Sequence, residues 1–230
     1  GHEHGFITKE DFPEMYRRLL RRILAAIKLT SQGRLLRESK SQFDQKYTLG
    51  KEIAHGAGGV TYLGNDRISG VQVVVKKPRN VVDTSDFEKV RDKTHPNIVR
   101  VFDLFSSASE TYVVMEFCQG GDLFGVLEHC RQKFEGVSIS FCAKVMKDVM
   151  EGVHYIHQEF KECHNDIKPE NVLLDRKPES QNDVPRVMIA DFGETSGIGA
   201  KTSGDPRYNA PELGPWSLAP APVSYSTDVW

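Results

Sequence analysis

The stretch HNDIKPENVLLD, residues 164 to 175, gathers an aspartate, a lysine and an asparagine (Asp166, Lys168 and Asn171) in one short loop. An aspartate can accept the proton of a hydroxyl. A lysine beside it can neutralise charge on a phosphoryl group in transit. An asparagine can offer its amide oxygen to Mg²⁺. The apolar run Val172 to Leu174 follows directly. The chemistry these residues suit is phosphoryl transfer to a hydroxyl.

Three other stretches bear on that chemistry. IAHGAGGVTYLG, residues 53 to 64, is a glycine-rich turn between strand-like runs, and glycine lets backbone N–H groups approach phosphate oxygens without a Cβ in the way. VVVK ends at Lys76, and a lysine on a buried strand needs an anionic partner, such as a nucleotide phosphate plus a helix carboxylate. DFG, Asp191 to Gly193, supplies a carboxylate that can bridge to Mg²⁺. Singly these are weak: glycine-rich hairpins are common, and a lysine at a strand end is usually a solvated charge. All in this order, with NAPE at Asn209 to Glu212 downstream, they are specific.

The elements that must position them fall into three regions. In residues 1 to about 46, Phe12, Met15, Leu19, Leu20, Ile23, Leu24 and Ile27 recur at three- and four-residue steps, which predicts one amphipathic helix. Gly33 and the polar mix after it read as a linker over 31–46. From Tyr47 the pattern turns to strands: YTLGKEIAHG, VTYLGND, VQVVVKK, VRVFDLF and TYVVMEF, with SDFEKVRDK as a short helix between. After Gly120 and Gly121 it becomes helical, in LFGVLEHC and then ISFCAKVMKDVMEGVHYIHQEF. Phe141, Val145, Val149, Val153 and Ile156 form one stripe of that second helix. Two short strands, VLL and VMIA, flank the polar loop RKPESQNDVPR.

Composition bounds the reading. The chain has 230 residues, 39% hydrophobic and 27% charged, with net charge −2, as in an ordinary globular protein. Near-neutral charge gives no reason to expect a nucleic-acid partner. No apolar run approaches the roughly 20 residues of a membrane helix, and no signal peptide is evident. Cys118, Cys130, Cys142 and Cys163 are far apart with no CxxC, which fits a reducing cytosol rather than a disulfide frame or zinc site. The first residue is glycine, so the sequence is expected to start inside something larger or to carry a processed end.

On these motifs, residues 47 to 230 resemble the eukaryotic protein kinase family. GVTYLG, HPNIV at 95 to 99 and VVMEFCQGGDLF at 113 to 124 look most like calcium-dependent and calmodulin-dependent kinases. The resemblance implies an α+β, bilobal fold: a β-rich N-lobe over about 47–117 and a helical C-lobe over about 118–230. It implies ATP and Mg²⁺ as cofactors and a protein as substrate. Asp166 becomes the base, Lys168 and Asn171 its partners in catalysis, and Asn171 and Asp191 the metal ligands. The nucleotide would lie against Ile53, Ala54, His55, Gly56, Ala57, Gly58, Gly59, Val60 and Thr61 of the glycine loop, and against Val74 and Leu173. Lys76 would anchor the phosphates, Met115 would be the gatekeeper, Glu116 to Cys118 the hinge, and Asp122 the ribose contact. Either Asp86 or Glu88 could partner Lys76, and Glu88 is preferred for its longer reach.

Departures accompany the resemblance. Ala54 replaces the first glycine of the loop, Gly58 the usual aromatic tip and Thr61 the adenine-covering valine. Asn165 stands where most kinases carry arginine; it cannot pair with a phosphate, so activation is expected not to depend on one at Thr195, Ser196, Thr202 or Ser203. SGDPRYNAPE puts Asp205 where serine/threonine kinases carry threonine, and GDPRY resembles the Wee/Myt group. Asp228 resembles the aspartate that opens the large helix under the catalytic loop, and the resemblance implies further helices beyond it.

The first residues, GHEHGFITKEDF, resemble the latter part of an EF-hand calcium loop and its exit helix, over 1–30. Gly5 would be the turn glycine, Ile7 the β-bridge residue and Asp11 the last ligand. His2 and His4 stand where Ca²⁺ prefers oxygen, so Ca²⁺ is expected only with a complete EF-hand, as part of a calcium-sensor module upstream. The function expected is serine/threonine protein kinase; the alternative is a catalytically weak pseudokinase serving as a binding module.

Overall fold

A computed structural model describes residues 40–56, 58–79, 90–91, 93–106, 110–133, 136–180, 183–193, 195–200, 204–213 and 222–230. The predicted EF-hand-like segment and its helix, and Asp86 and Glu88, lie outside them.

Helix α1 (Lys40–Lys46) leads into β1 (Tyr47–Gly56), β2 (Gly59–Asp66) and β3 (Gln72–Lys77). After β4 (Val101–Ser106) and β5 (Thr111–Glu116) the sheet is complete, in the order β1-β2-β3-β5-β4 with every pair antiparallel. All five strands fall where the β-branched runs predict them. β1 is an edge strand, and from Leu49 on it is exposed, which suits a roof over a cleft rather than a core element.

The linker read over 31–46 is corrected from residue 40 onward. The segment is helical because Phe43 has an apolar wall to meet. Its ring stacks on Tyr112 at 4.6 Å and meets Phe105 edge-on at 5.5 Å. Lys46 then pairs with Asp103 at 2.7 Å, which also accepts the Tyr47 hydroxyl. Seven mostly polar residues would not hold a helix in water. Burial of one aromatic side chain, together with the ion pair, holds it here.

The lower half is built on α2 (Leu123–Gln132) and α3 (Ile139–Glu159). Ser138 caps α3 by accepting the N–H of Phe141 at 3.1 Å. The predicted stripe Phe141, Val145, Val149, Val153 and Ile156 is buried throughout, at roughly 1.5–3 kcal/mol per side chain. It packs on β8 (Val172–Leu174) and β9 (Val187–Ile189), which pair with each other and, through β8, with β6 (Gly121–Asp122). Another two-stranded ladder joins β7 (Glu162–Cys163) to β10 (Ser196–Gly197). No helix among the described residues is long and apolar enough to cross a membrane.

The two halves meet along the 95–99 loop. Val99 donates its N–H to the Ile189 carbonyl, and Ile189 donates to the Asn97 carbonyl, both at 2.9 Å. Gly152 lets α3 press on this seam: a Cβ there would stand 2.8 Å from both the Asn97 carbonyl oxygen and Ile189 Cδ1.

Candidate active site

The loop between β7 and β8 carries Asp166, Lys168 and Asn171, and the fold converges them. Lys168 Nζ donates to both Asp166 oxygens, at 3.0 and 2.8 Å. Asn171 Nδ2 donates to the Asp166 carbonyl at 2.8 Å and to its Oδ2 at 2.7 Å. With its amide nitrogen turned to Asp166, Asn171 has its oxygen as the remaining ligand atom. Burial works against the Lys168 ammonium, but the hydrogen bond and charge of Asp166 prevail and raise its pKa.

The loop is held from beneath. His164 and Asn165 donate their backbone N–H groups to Asp228 in the 3₁₀ turn Tyr225–Asp228, the position anticipated for that aspartate. His157 Nε2 shares one of its oxygens at 2.7 Å. His164 is fully buried and packs edge-on to Phe192 of the DFG segment at 5.4 Å. Its Nε2 lies 3.1 Å from the Ala190 carbonyl, and its Nδ1 accepts the Asp166 N–H at 3.3 Å. That network requires the neutral ring protonated at Nε2, and burial pushes its pKa down accordingly.

Lys76 on β3 bonds Asp191 Oδ1 at 2.5 Å, across 115 positions of sequence. The sequence assigned Lys76 a helix carboxylate and Asp191 a metal; the structure brings the two to each other. Burial disfavours the Asp191 carboxylate, but the Lys76 ammonium outweighs it and holds the pKa below the usual range. Gly58 lies against the lysine: a Cβ there would stand 3.4 Å from Lys76 Nζ. Gly59 has φ +127°, and a Cβ there would run into the Lys77 carbonyl, so the strained turn requires glycine. The altered loop therefore still descends onto the lysine.

The remaining nucleotide-site candidates are placed as follows. Ile53, Ala54, His55 and Gly56 lie on exposed β1, with Val60 and Thr61 opposite on β2; Ala57 lies outside the described residues. Val74 pairs with Met115 across β3 and β5, and Met115, Leu173 and Cys118 belong to one apolar cluster that also includes Ala190. Burial pushes the Cys118 thiol up to about 12. Asp122 is next to Leu173 in register, but its Oδ1 caps α2, accepting the Gly125 N–H at 2.7 Å.

Asp205 was not among the expected site residues. Its N–H points to Asp166 Oδ1 at 3.3 Å, and its carboxylate is 3.8 Å from Lys168 Nζ. Arg207 grips that carboxylate through Nε at 3.1 Å and a terminal nitrogen at 2.7 Å, holding its pKa down to about 2. The departure from threonine was visible in GDPRY, but its contact with Lys168 depends on the return of the chain through Gly204.

The donors suit a magnesium nucleotide. Asp191 and Asn171 offer hard oxygen ligands, Lys76 an ammonium for phosphate, and the glycine turn a close approach.

The family model for the protein kinase domain matches residues 47–230. A "Probable myosin light chain kinase" of Dictyostelium discoideum is 30% identical over 210 residues, covering 86% of this chain and 50% of that protein. Serine/threonine protein kinase OSK3 of Oryza sativa subsp. indica is 30% identical over 201 residues, covering 81% of this chain and 36% of the rice protein. The chain thus spans half or less of the length of these curated relatives.

Proposed function

The chain belongs to the protein kinase family, and on that premise we propose that it transfers the γ-phosphoryl group of ATP to serine or threonine hydroxyls of protein substrates. The observation that carries the reading is the Asp166 carboxylate, held between Lys168 and Asn171 on a loop pinned by Asp228. Asp166 orients the acceptor hydroxyl and takes its proton. Lys168, already bonded to Asp166, neutralises charge on the incoming phosphoryl group. Lys76 holds the non-transferred phosphates, and Asn171 and Asp191 hold the metal. Mg²⁺, were it held by Asn171 and Asp191, would supply positive charge against the phosphates. The chain's own contribution is positioning and preorganised charge.

The preference for serine and threonine over tyrosine rests on likeness to the serine/threonine relatives. Control by calcium would require a complete EF-hand, of which residues 1–12 resemble the latter half.

Substitution of the base tests the reading. Asp166→Asn should lower phosphotransfer at least about 100-fold, while the affinity for MgATP, measured by equilibrium binding, changes less than about threefold. Near-wild-type turnover in Asp166→Asn would show the base to be misassigned. Tight MgATP binding by the wild type without transfer to any protein would favour the binding-module reading.

A further inference from the structure

Asn165 joins parts of the chain that the catalytic residues do not. Its backbone has φ +65°, a left-handed conformation that asparagine tolerates better than most side chains. Its N–H is fixed by Asp228 Oδ1 at 2.7 Å. Its Nδ2 donates to the Cys163 carbonyl at 3.1 Å and to Ser196 Oγ at 2.8 Å. Ser196 lies five residues beyond Asp191 and pairs in register with Cys163. Farther along, Gly204 packs so closely that a Cβ there would run into the Asn165 carbonyl oxygen. The next residue, Asp205, directs its N–H at the catalytic aspartate. Asn165 therefore touches both ends of the segment that runs from the DFG motif to Asp205, by its side chain at one end and its backbone at the other.

We propose that Asn165 and Ser196 form an uncharged latch that holds this segment against the catalytic loop, and that Ser196 is a positioning residue for Asp166. The proposal rests on the kinase reading for its effect on turnover. The contact itself stands on geometry alone. Both partners are neutral, so the latch closes without any added phosphate. A phosphate on Ser196 would work against it. The amide at 165 offers no positive charge, and the carboxylate that binds the Asn165 N–H belongs to Asp228, close beneath. A phosphoserine carries about −1.5 to −2 charges and needs a cationic partner. Phosphorylation at Ser196 would thus lower activity.

A double-mutant cycle tests this in the full chain. Ser196→Ala should lower kcat about two- to fivefold, the worth of one neutral hydrogen bond, and Asn165→Ala, which also loses the bond to the Cys163 carbonyl, by at least as much. The KM for ATP and the MgATP affinity should not move. The double variant should be no slower than the worse single variant, because the partners share one interaction. Ser196→Thr keeps the hydroxyl and should retain most of the rate, whereas Ser196→Glu should fall below Ser196→Ala. Additive losses, a parallel fall in MgATP affinity, or a Ser196→Glu variant as active as wild type would overturn the latch. Limited proteolysis within residues 197–213 gives a readout that needs no catalysis: cleavage should quicken in either alanine variant. Unchanged cleavage overturns the proposal. A wild-type chain without phosphotransfer would overturn the kinase reading instead, and the latch would then be judged by proteolysis.

Discussion

Asp228 receives the backbone N–H of His164 on one carboxylate oxygen and that of Asn165 on the other, each at 2.7 Å. The carboxylate is buried, and His157 shares the oxygen that serves His164. A single side chain thus fixes two consecutive peptide groups immediately before Asp166, the proposed base.

Asp228→Asn should unsettle that loop. The amide keeps one oxygen but turns an NH₂ group toward an N–H donor. One charge-assisted bond is lost, at about 1.5–3 kcal/mol. For a domain of this size that predicts a fall in Tm of roughly 3–12 °C, read by calorimetry. The fall should come with a drop in kcat larger than any change in MgATP affinity. An unchanged Tm would show the two amides to be adequately held by other groups.

The Phe43 contact makes a separate prediction about where the domain starts. Phe43 is 1% exposed and packs on Tyr47, Phe105 and Tyr112. Phe43→Ala should cost about 3–5 kcal/mol, a large share of a total near 5–15. Denaturant unfolding measures it. The site residues lie on other elements, so MgATP affinity below the melting range should hold. A cost under about 1 kcal/mol would restore this segment to the status of a linker.

Acid should weaken the fold before any carboxylate pair is lost. Burial holds His95 and His164 below the ordinary histidine value. The unfolded chain takes up these protons from about pH 6.5 downward while the folded chain does not. The unfolded state then binds more protons, so stability falls as pH drops from about 7 to 5. His164→Gln should make that slope shallower. Asp191 acts in the other window: its depressed pKa stabilises the fold above about pH 4, and this is lost as pH falls through its folded value. Tm measured between pH 7 and 5 checks the histidine part; a flat curve would contradict it.

Much of this architecture was legible because its signals are local. Strands β1 to β5 are β-branched runs cut by glycine, and the buried stripe from Phe141 to Ile156 repeats at helical spacing. The catalytic loop is a contiguous motif. What escaped depends on distant partners. Helix α1 is polar except for the ring it buries, so its composition reads as linker. The Lys76–Asp191 pair spans 115 positions. Strands β6, β7 and β10 are two residues each and exist only through their pairing. Asp122 was read from the sequence as a ribose contact; that it also caps α2 depends on where Gly125 falls in the fold.

The seam at residues 95–99 also constrains the order of assembly. Asn97 donates its side-chain amide to the Val187 carbonyl, 90 positions away, and the backbone bonds with Ile189 have similar reach. During synthesis the five-stranded sheet can close while this loop still lacks its hydrogen-bond partners. At about 5–20 residues per second, the loop waits roughly 5–20 seconds with those polar groups turned to water. The sheet is therefore a folding unit that matures late along one edge, and that edge is where a chaperone would find it unfinished.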